Sequence, residues 1–193
     1  DGGTTWVQAM SFAAPGDQSI ILAADFMRVS RNGINILTPG LPEINIAANM
    51  TVDGVTYPNV GVRFRGNTSY TQLPPAPAQG WEKKSFNIEL DWMVPGQDIY
   101  GYDHLNLNNG CHDPLFLREP LTYYVMRQHG VAPKANWVRL HLAPPTGAFL
   151  PWGIYINVQQ PNKDMMKEWF RSNDGNRYRC FPTSGTFGSG RCC

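Results

Sequence analysis

Charge is what this sequence has little of. Only 16% of its 193 residues are Asp, Glu, Lys or Arg, against about a quarter in ordinary soluble chains, and 16 basic residues nearly cancel 15 acidic ones. Such a balance makes no field that would gather nucleic acid or an anionic membrane. Neither is expected as a partner, and any basic site must be local. Long apolar runs are missing too: stretches such as Ile20 to Ala24 fall far short of the roughly 18 residues that cross a bilayer, so no membrane span is expected. The chain opens at Asp1 without the charged and apolar regions of a signal peptide, which reads as a processed or partial chain. Cysteine spacing of the zinc type is also absent. No pair among Cys111, Cys180, Cys192 and Cys193 is separated by two residues, so no metal site is expected and structural disulfides are favoured. Cys192 and Cys193 are adjacent, and a peptide step of about 3.8 Å is too short for good disulfide geometry. Each should look elsewhere, with Cys180 the natural partner for one of them.

What is present fits one domain with a proper core. Glycine (19) and proline (16) are plentiful, marking many turns. Asp53-Gly54 between two strand-like runs, Ala47 to Val52 and Thr56 to Phe64, is a type I′ hairpin signal. Ser85 to Leu90 and His104 to Asn108 alternate apolar and polar residues as half-buried antiparallel strands do. A helix is expected from Asp113 as N-cap, with Pro114 in the first turn, until Gly130 ends it; Pro120 should kink it or split off its first turn. Strands at Trp137 to Leu142 and Trp152 to Gln159 and a short helix from about Lys163 to Arg171 follow. The expected fold class is therefore α+β, a mostly antiparallel sheet with one long kinked helix. Residues 1–46 read as an N-terminal extension or leading strands. Residues 179–193 read as a cysteine-containing tail that continues into a missing segment. Asn49-Met50-Thr51 and Asn67-Thr68-Ser69 make Asn49 and Asn67 glycosylation candidates.

Four segments in order carry a resemblance. They are Gly61-Val62-Arg63-Phe64-Arg65-Gly66-Asn67-Thr68-Ser69; Lys83-Lys84-Ser85-Phe86-Asn87-Ile88-Glu89-Leu90; Leu105-Asn106-Leu107-Asn108-Asn109 leading into Asp113 to Leu121; and Trp152-Gly153-Ile154-Tyr155 before Asn162-Lys163-Asp164. Together they resemble the CotH family of spore-coat and secreted kinase-like proteins, from about Asn59 to Tyr178, within a small-lobe region expected over residues 47–178.

That resemblance implies the small lobe of an atypical kinase fold, in which ATP and magnesium bind and phosphate passes to serine of a partner protein. It implies an extracellular location, or the cell or spore surface, with a protein substrate or coat partner. Phosphoryl transfer rests on positioning and on cations that neutralise phosphate, and the matched residues suit those parts. Gly66 permits a close backbone approach and Arg63 or Arg65 supplies charge. One of Lys83 and Lys84 faces inward, Lys84 being favoured, and Glu119 orients it as an αC glutamate would. Two departures stand out. The family's catalytic aspartates are expected downstream of the short helix, and neither Asp164 nor Asp174 matches them; Gln159-Gln160 stands where the family commonly has a glutamate. The chain is thus expected to be incomplete or inactive as an enzyme. The alternative is a kinase-derived extracellular structural, adhesion or fibre-forming protein without catalysis, given to self-association or to covering by a missing second lobe.

Overall fold

The computed structural model describes residues 19–23, 45–66, 83–143 and 150–178. Seven strands make one closed barrel: β1 (Ser19–Ala23), β2 (Ile46–Val52), β3 (Val55–Arg65), β4 (Ser85–Glu89), β5 (His104–Asn108), β6 (Ala135–Ala143) and β7 (Leu150–Gln159), in the spatial order β1-β2-β3-β4-β5-β7-β6. Among the described residues two short helices, α1 (Arg118–Arg127) and α2 (Lys163–Trp169), accompany it. This overturns the expected α+β small lobe with a long kinked helix. The overturning element is β1, which pairs antiparallel with β2 on one side and parallel with β6 on the other, Ile20 opposite Leu140. An open sheet thereby becomes a closed one without edges.

Local chemistry explains most of the elements. Asp53 (φ 51°) and Gly54 (φ 74°) both take the left-handed backbone of a type I′ turn and join β2 to β3. The ladder slips between Ala48 and Met50, opposite Pro58, which has no N–H to give. Alternating residues then point into the barrel: Ile20 and Leu22, Met50, Val62 and Phe64, Phe86 and Ile88, Leu105 and Leu107, Leu140 and Leu142, and Tyr155 are all buried. Rings of Phe64 and Phe86 lie 5.2 Å apart, and those of Phe86 and Tyr155 6.0 Å. Each such side chain contributes roughly 1.5–3 kcal/mol by leaving water.

The helix is shorter than its sequence pattern. It starts at Arg118, not beside Asp113, because His112 (φ 61°) and Phe116 (φ 55°) are left-handed and cannot continue a helix. Pro120 is consequently the third helical residue, where its missing N–H costs nothing, and it kinks nothing. Asp113 still serves the helix at a distance: its Oδ2 accepts the Arg118 N–H at 2.7 Å. The second helix is capped by Asn162, whose Oδ1 accepts from the N–H groups of Asp164 and Met165. Among the described residues no helix is long and apolar enough to cross a membrane.

Candidate functional site

The site begins where β5 ends. Asn109 is buried and uses every side of its residue: its N–H donates to Ser85 Oγ (3.0 Å), its Nδ2 donates to the Lys83 carbonyl (2.9 Å), and its Oδ1 accepts from the Cys111 N–H (3.1 Å). These bonds fix the turn of residues 110–117 against the start of β4. Gly110 (φ +68°) lies so close to Phe116 that a Cβ there would meet the ring at 2.4 Å. The Phe116 ring in turn covers the Lys83 ammonium at 4.2 Å, and the Tyr155 ring lies 4.9 Å from the same nitrogen. Burial lowers the Lys83 amine below its ordinary pKa, while the two ring faces favour its charged form. Trp137 Nε1 holds the Phe116 carbonyl at 2.6 Å, tying the far end of the turn to β6.

Between this turn, the end of β3 and the start of α1 is a cavity of about 330 Å³. Arg65 and Gly66 line it from β3, Asn108 from β5, His112 and Asp113 from the turn, and Arg118 and Glu119 from α1. Gly66 has φ +96°, a backbone that glycine adopts without strain. Glu119 Oε1 accepts from Asn108 Nδ2 at 2.7 Å. Arg118 Nη1 donates to the His112 carbonyl at 2.9 Å. The Tyr123 phenol is pushed above its ordinary pKa first by burial and then by the Glu119 charge, with Arg65 opposing; a guanidinium and a carboxylate therefore act on one point beside the cavity.

The residues singled out from the sequence are distributed as follows. Arg65, Gly66 and Glu119 come together in the cavity wall. Arg63, two residues back on β3, instead turns towards Asn45 Oδ1 (3.4 Å) and Glu89 Oε2 (4.0 Å). Lys83 occupies the space between the Phe116 and Tyr155 rings. Lys84 gives its carbonyl to the Tyr155 hydroxyl at 2.9 Å, and Oε1 of Glu119 is held by Asn108. Cys111 is a free thiol in the same cavity wall. Cys180, Cys192, Cys193 and Asn67 lie outside the described residues. Asn49 is exposed on β2, its Oδ1 accepting from the Asn59 N–H.

Asn108, Asn109 and Arg118 also line the cavity, although the sequence assigned none of them a role. The signal available was the Asn109-Gly110 stop after an alternating strand, which places polar residues at a strand end where the chain must turn sharply.

A second polar group ties α2 to the barrel. Glu168 accepts from Gln159 Nε2 (2.7 Å) and Tyr102 OH (3.2 Å), and it pairs with Lys134 Nζ at 2.8 Å. Gln159 Oε1 accepts the Lys134 N–H at 3.1 Å. A glutamate at 159 would lack the N–H that Glu168 receives and would set two carboxylates against each other. Asp91, Asp103 and His104 gather at the β4–β5 end with their donor atoms within 4.8 Å of one another. There Asp103 Oδ1 already meets His104 Nδ1 (2.8 Å) and Asn162 Nδ2 (2.9 Å).

Comparison with known proteins gives one match. The family described as CotH kinase protein matches over residues 62–188, a span that holds every residue lining the cavity. No curated protein and no solved structure matches the chain.

Proposed function

The chain belongs to the CotH kinase protein family, and from that premise we propose that it is the nucleotide-binding part of a kinase-like protein, with the cavity between β3, β5 and α1 receiving the phosphates of ATP. One observation carries this reading: two arginines from separate segments, a left-handed glycine and the carboxylate of Glu119 converge on one cavity of 330 Å³, a size that suits a small ligand. Guanidinium groups pair phosphate oxygens with directed N–H bonds. Gly66 lets the backbone approach without a Cβ in the way. The donor set also fits a divalent cation, since Asn108 holds one oxygen of Glu119 and leaves the other for an ion; Asp113 is committed to the helix N-terminus. When bound, magnesium neutralises phosphate charge.

On this reading the protein acts at the cell or spore surface or outside the cell, and the acceptor is serine in a partner protein. The described part binds nucleotide and does not transfer phosphate by itself. Asp164 is engaged with Asn162 and Lys167, and Asp174 with Ser172, so neither acid stands at the cavity as a base. A thermal-unfolding experiment tests the reading. Mg-ATP at about a hundred times its Kd should add roughly 2.7 kcal/mol of stability. Arg65→Ala and Arg118→Ala should each lose most of that gain, and Lys167→Ala, in an exposed side chain, should keep it. An unchanged Tm in wild type at saturating Mg-ATP rejects the proposal.

A second reading, a kinase-derived structural or adhesive protein without catalysis, is favoured by the apolar side chains that α1 turns to solvent. Mg-ATP binding by a monodisperse monomer removes it.

A further inference from the structure

Lys83 stands where an ammonium is costly. Burial moves its amine below the ordinary pKa, with neither a neighbouring charge nor a hydrogen bond to offset it. What the ammonium meets instead is two ring faces on separate elements, Phe116 at 4.2 Å in the turn and Tyr155 at 4.9 Å on β7. Tyr155 is fully buried and its hydroxyl donates to the Lys84 carbonyl, so its ring belongs to the fixed wall of the barrel. Phe116 is less secure. It is a non-glycine residue at φ 55°, and His112 earlier in the same turn stands at φ 61°; such backbones persist only where their surroundings over-determine them. The turn therefore depends on what grips it. Trp137 holds the Phe116 carbonyl and the ring lies against Gly110, while Lys83 joins that ring to the barrel.

We propose that Lys83 is a positioning residue for the cavity: its ammonium clamps the Phe116 ring to Tyr155 and thereby sets the wall formed by Gly110, Cys111, His112 and Asp113. The path is short. Lys83 touches the Phe116 ring, the ring touches Gly110, and Gly110 begins the four consecutive residues that line the cavity from this turn. The Lys83 carbonyl also receives Asn109 Nδ2, so the backbone and the side chain of one residue grip the two ends of the turn. The pull is specific to a cation, because ring faces attract positive charge. An apolar side chain of similar length would pack there without the cost of burying a charge, and without that pull. The effect on nucleotide affinity rests on the function proposed above; the effect on the turn does not.

Lys83→Met removes the charge at similar length, Lys83→Arg keeps the charge, and Phe116→Leu removes the ring face; circular dichroism establishes that each variant is folded. Cys111 is a free thiol on the turn itself, so its alkylation by iodoacetamide reports the turn without nucleotide, and peptide mass mapping separates it from Cys180, Cys192 and Cys193. Lys83→Met and Phe116→Leu should each raise the Cys111 rate at least about fivefold, and Lys83→Arg should stay within about twofold of wild type. The double variant Lys83→Met with Phe116→Leu should be no faster than the faster single, because both changes remove one contact. Titration with Mg-ATP should follow the same order, with Lys83→Met weakening binding at least about fivefold and Lys83→Arg restoring it. A wild-type Cys111 rate in Lys83→Met overturns the proposal, as does additive acceleration in the double variant. Weaker Mg-ATP binding with an unchanged Cys111 rate overturns it too, since the charge would then act on nucleotide through space and not through the turn. If the wild type binds no Mg-ATP, the nucleotide reading fails while the Cys111 rates still decide this one.

Discussion

Replacing Asn109 by alanine should loosen the turn that builds the cavity, and the cost can be worked from its bonds. The side chain is 7% exposed within its residue and makes two hydrogen bonds, to the Lys83 carbonyl and from the Cys111 N–H. Alanine removes both and orphans one acceptor and one donor in a partly buried place. Each orphan costs about 1–3 kcal/mol; partial access to water keeps both at the low end, for a total of roughly 2–3 kcal/mol. In a chain of this length that lowers Tm by about 4–12 °C. Asn109→Asp keeps the acceptor for Cys111 and loses the donor to Lys83, so about half the loss is expected. Urea unfolding gives the free energies and calorimetry the Tm values. The bond from the Asn109 N–H to Ser85 Oγ is untouched by either change, so the barrel itself should remain folded. An alanine variant within about 0.5 kcal/mol of wild type, the range of an ordinary surface change, would refute the claim that Asn109 anchors the turn.

Three further outcomes are expected. Gly110→Ala forces a β-carbon onto a φ of +68° and into the Phe116 ring, and should cost about 1–3 kcal/mol in urea unfolding; a neutral result would mean that the turn yields freely. Glu168→Ala strands the Lys134 ammonium and removes the acceptor of Gln159 and Tyr102. About 2–4 kcal/mol should be lost, Glu168→Gln losing less, and an equal loss for both would show that charge is not what matters there. Burial holds the Lys83 amine below its ordinary value, so the unfolded chain binds its proton more readily than the folded one. Stability contributed at this position therefore rises with pH in the window between the lowered pKa and the ordinary value of about 10.4. The wild-type advantage over Lys83→Met in urea unfolding should grow across that window, and an advantage that shrinks would reverse the sign of the argument.

Some of this was legible in the sequence and some could not be. The β2–β3 hairpin was readable because a type I′ turn needs two residues tolerant of positive φ, and Asp53-Gly54 supplies them. β4 and β5 were readable from alternation, which put Phe86, Ile88, Leu105 and Leu107 on the core face, but they are not the half-buried strands expected: Ser85, Asn87 and Asn106 on the other face are buried as well. Closure of the barrel was not. It depends on Ile20 and Leu22 pairing in parallel with strand residues more than a hundred positions away, and a parallel pairing leaves no turn signature between its partners. The start of α1 was misplaced for a related reason. Asp113 and Pro114 have the chemistry of a helix start, and Asp113 does accept a helix N–H, but the left-handed Phe116 intervenes before Arg118, and phenylalanine is not a type that announces positive φ. At the site, Arg65, Gly66 and Glu119 were all found through family order. The pairing of Lys84 with Glu119 could not be judged that way. Both lysines precede the first residue of β4, so strand alternation does not govern where their side chains go.

Isothermal titration of the purified chain with Mg-ATP tests the central claim most directly. Saturable binding of one nucleotide per chain, weakened at least about tenfold by Arg65→Ala and by Glu119→Gln, is the expected result. Absence of binding by a folded wild-type chain, or binding that ignores both substitutions, would contradict the assignment of the β3–β5–α1 cavity.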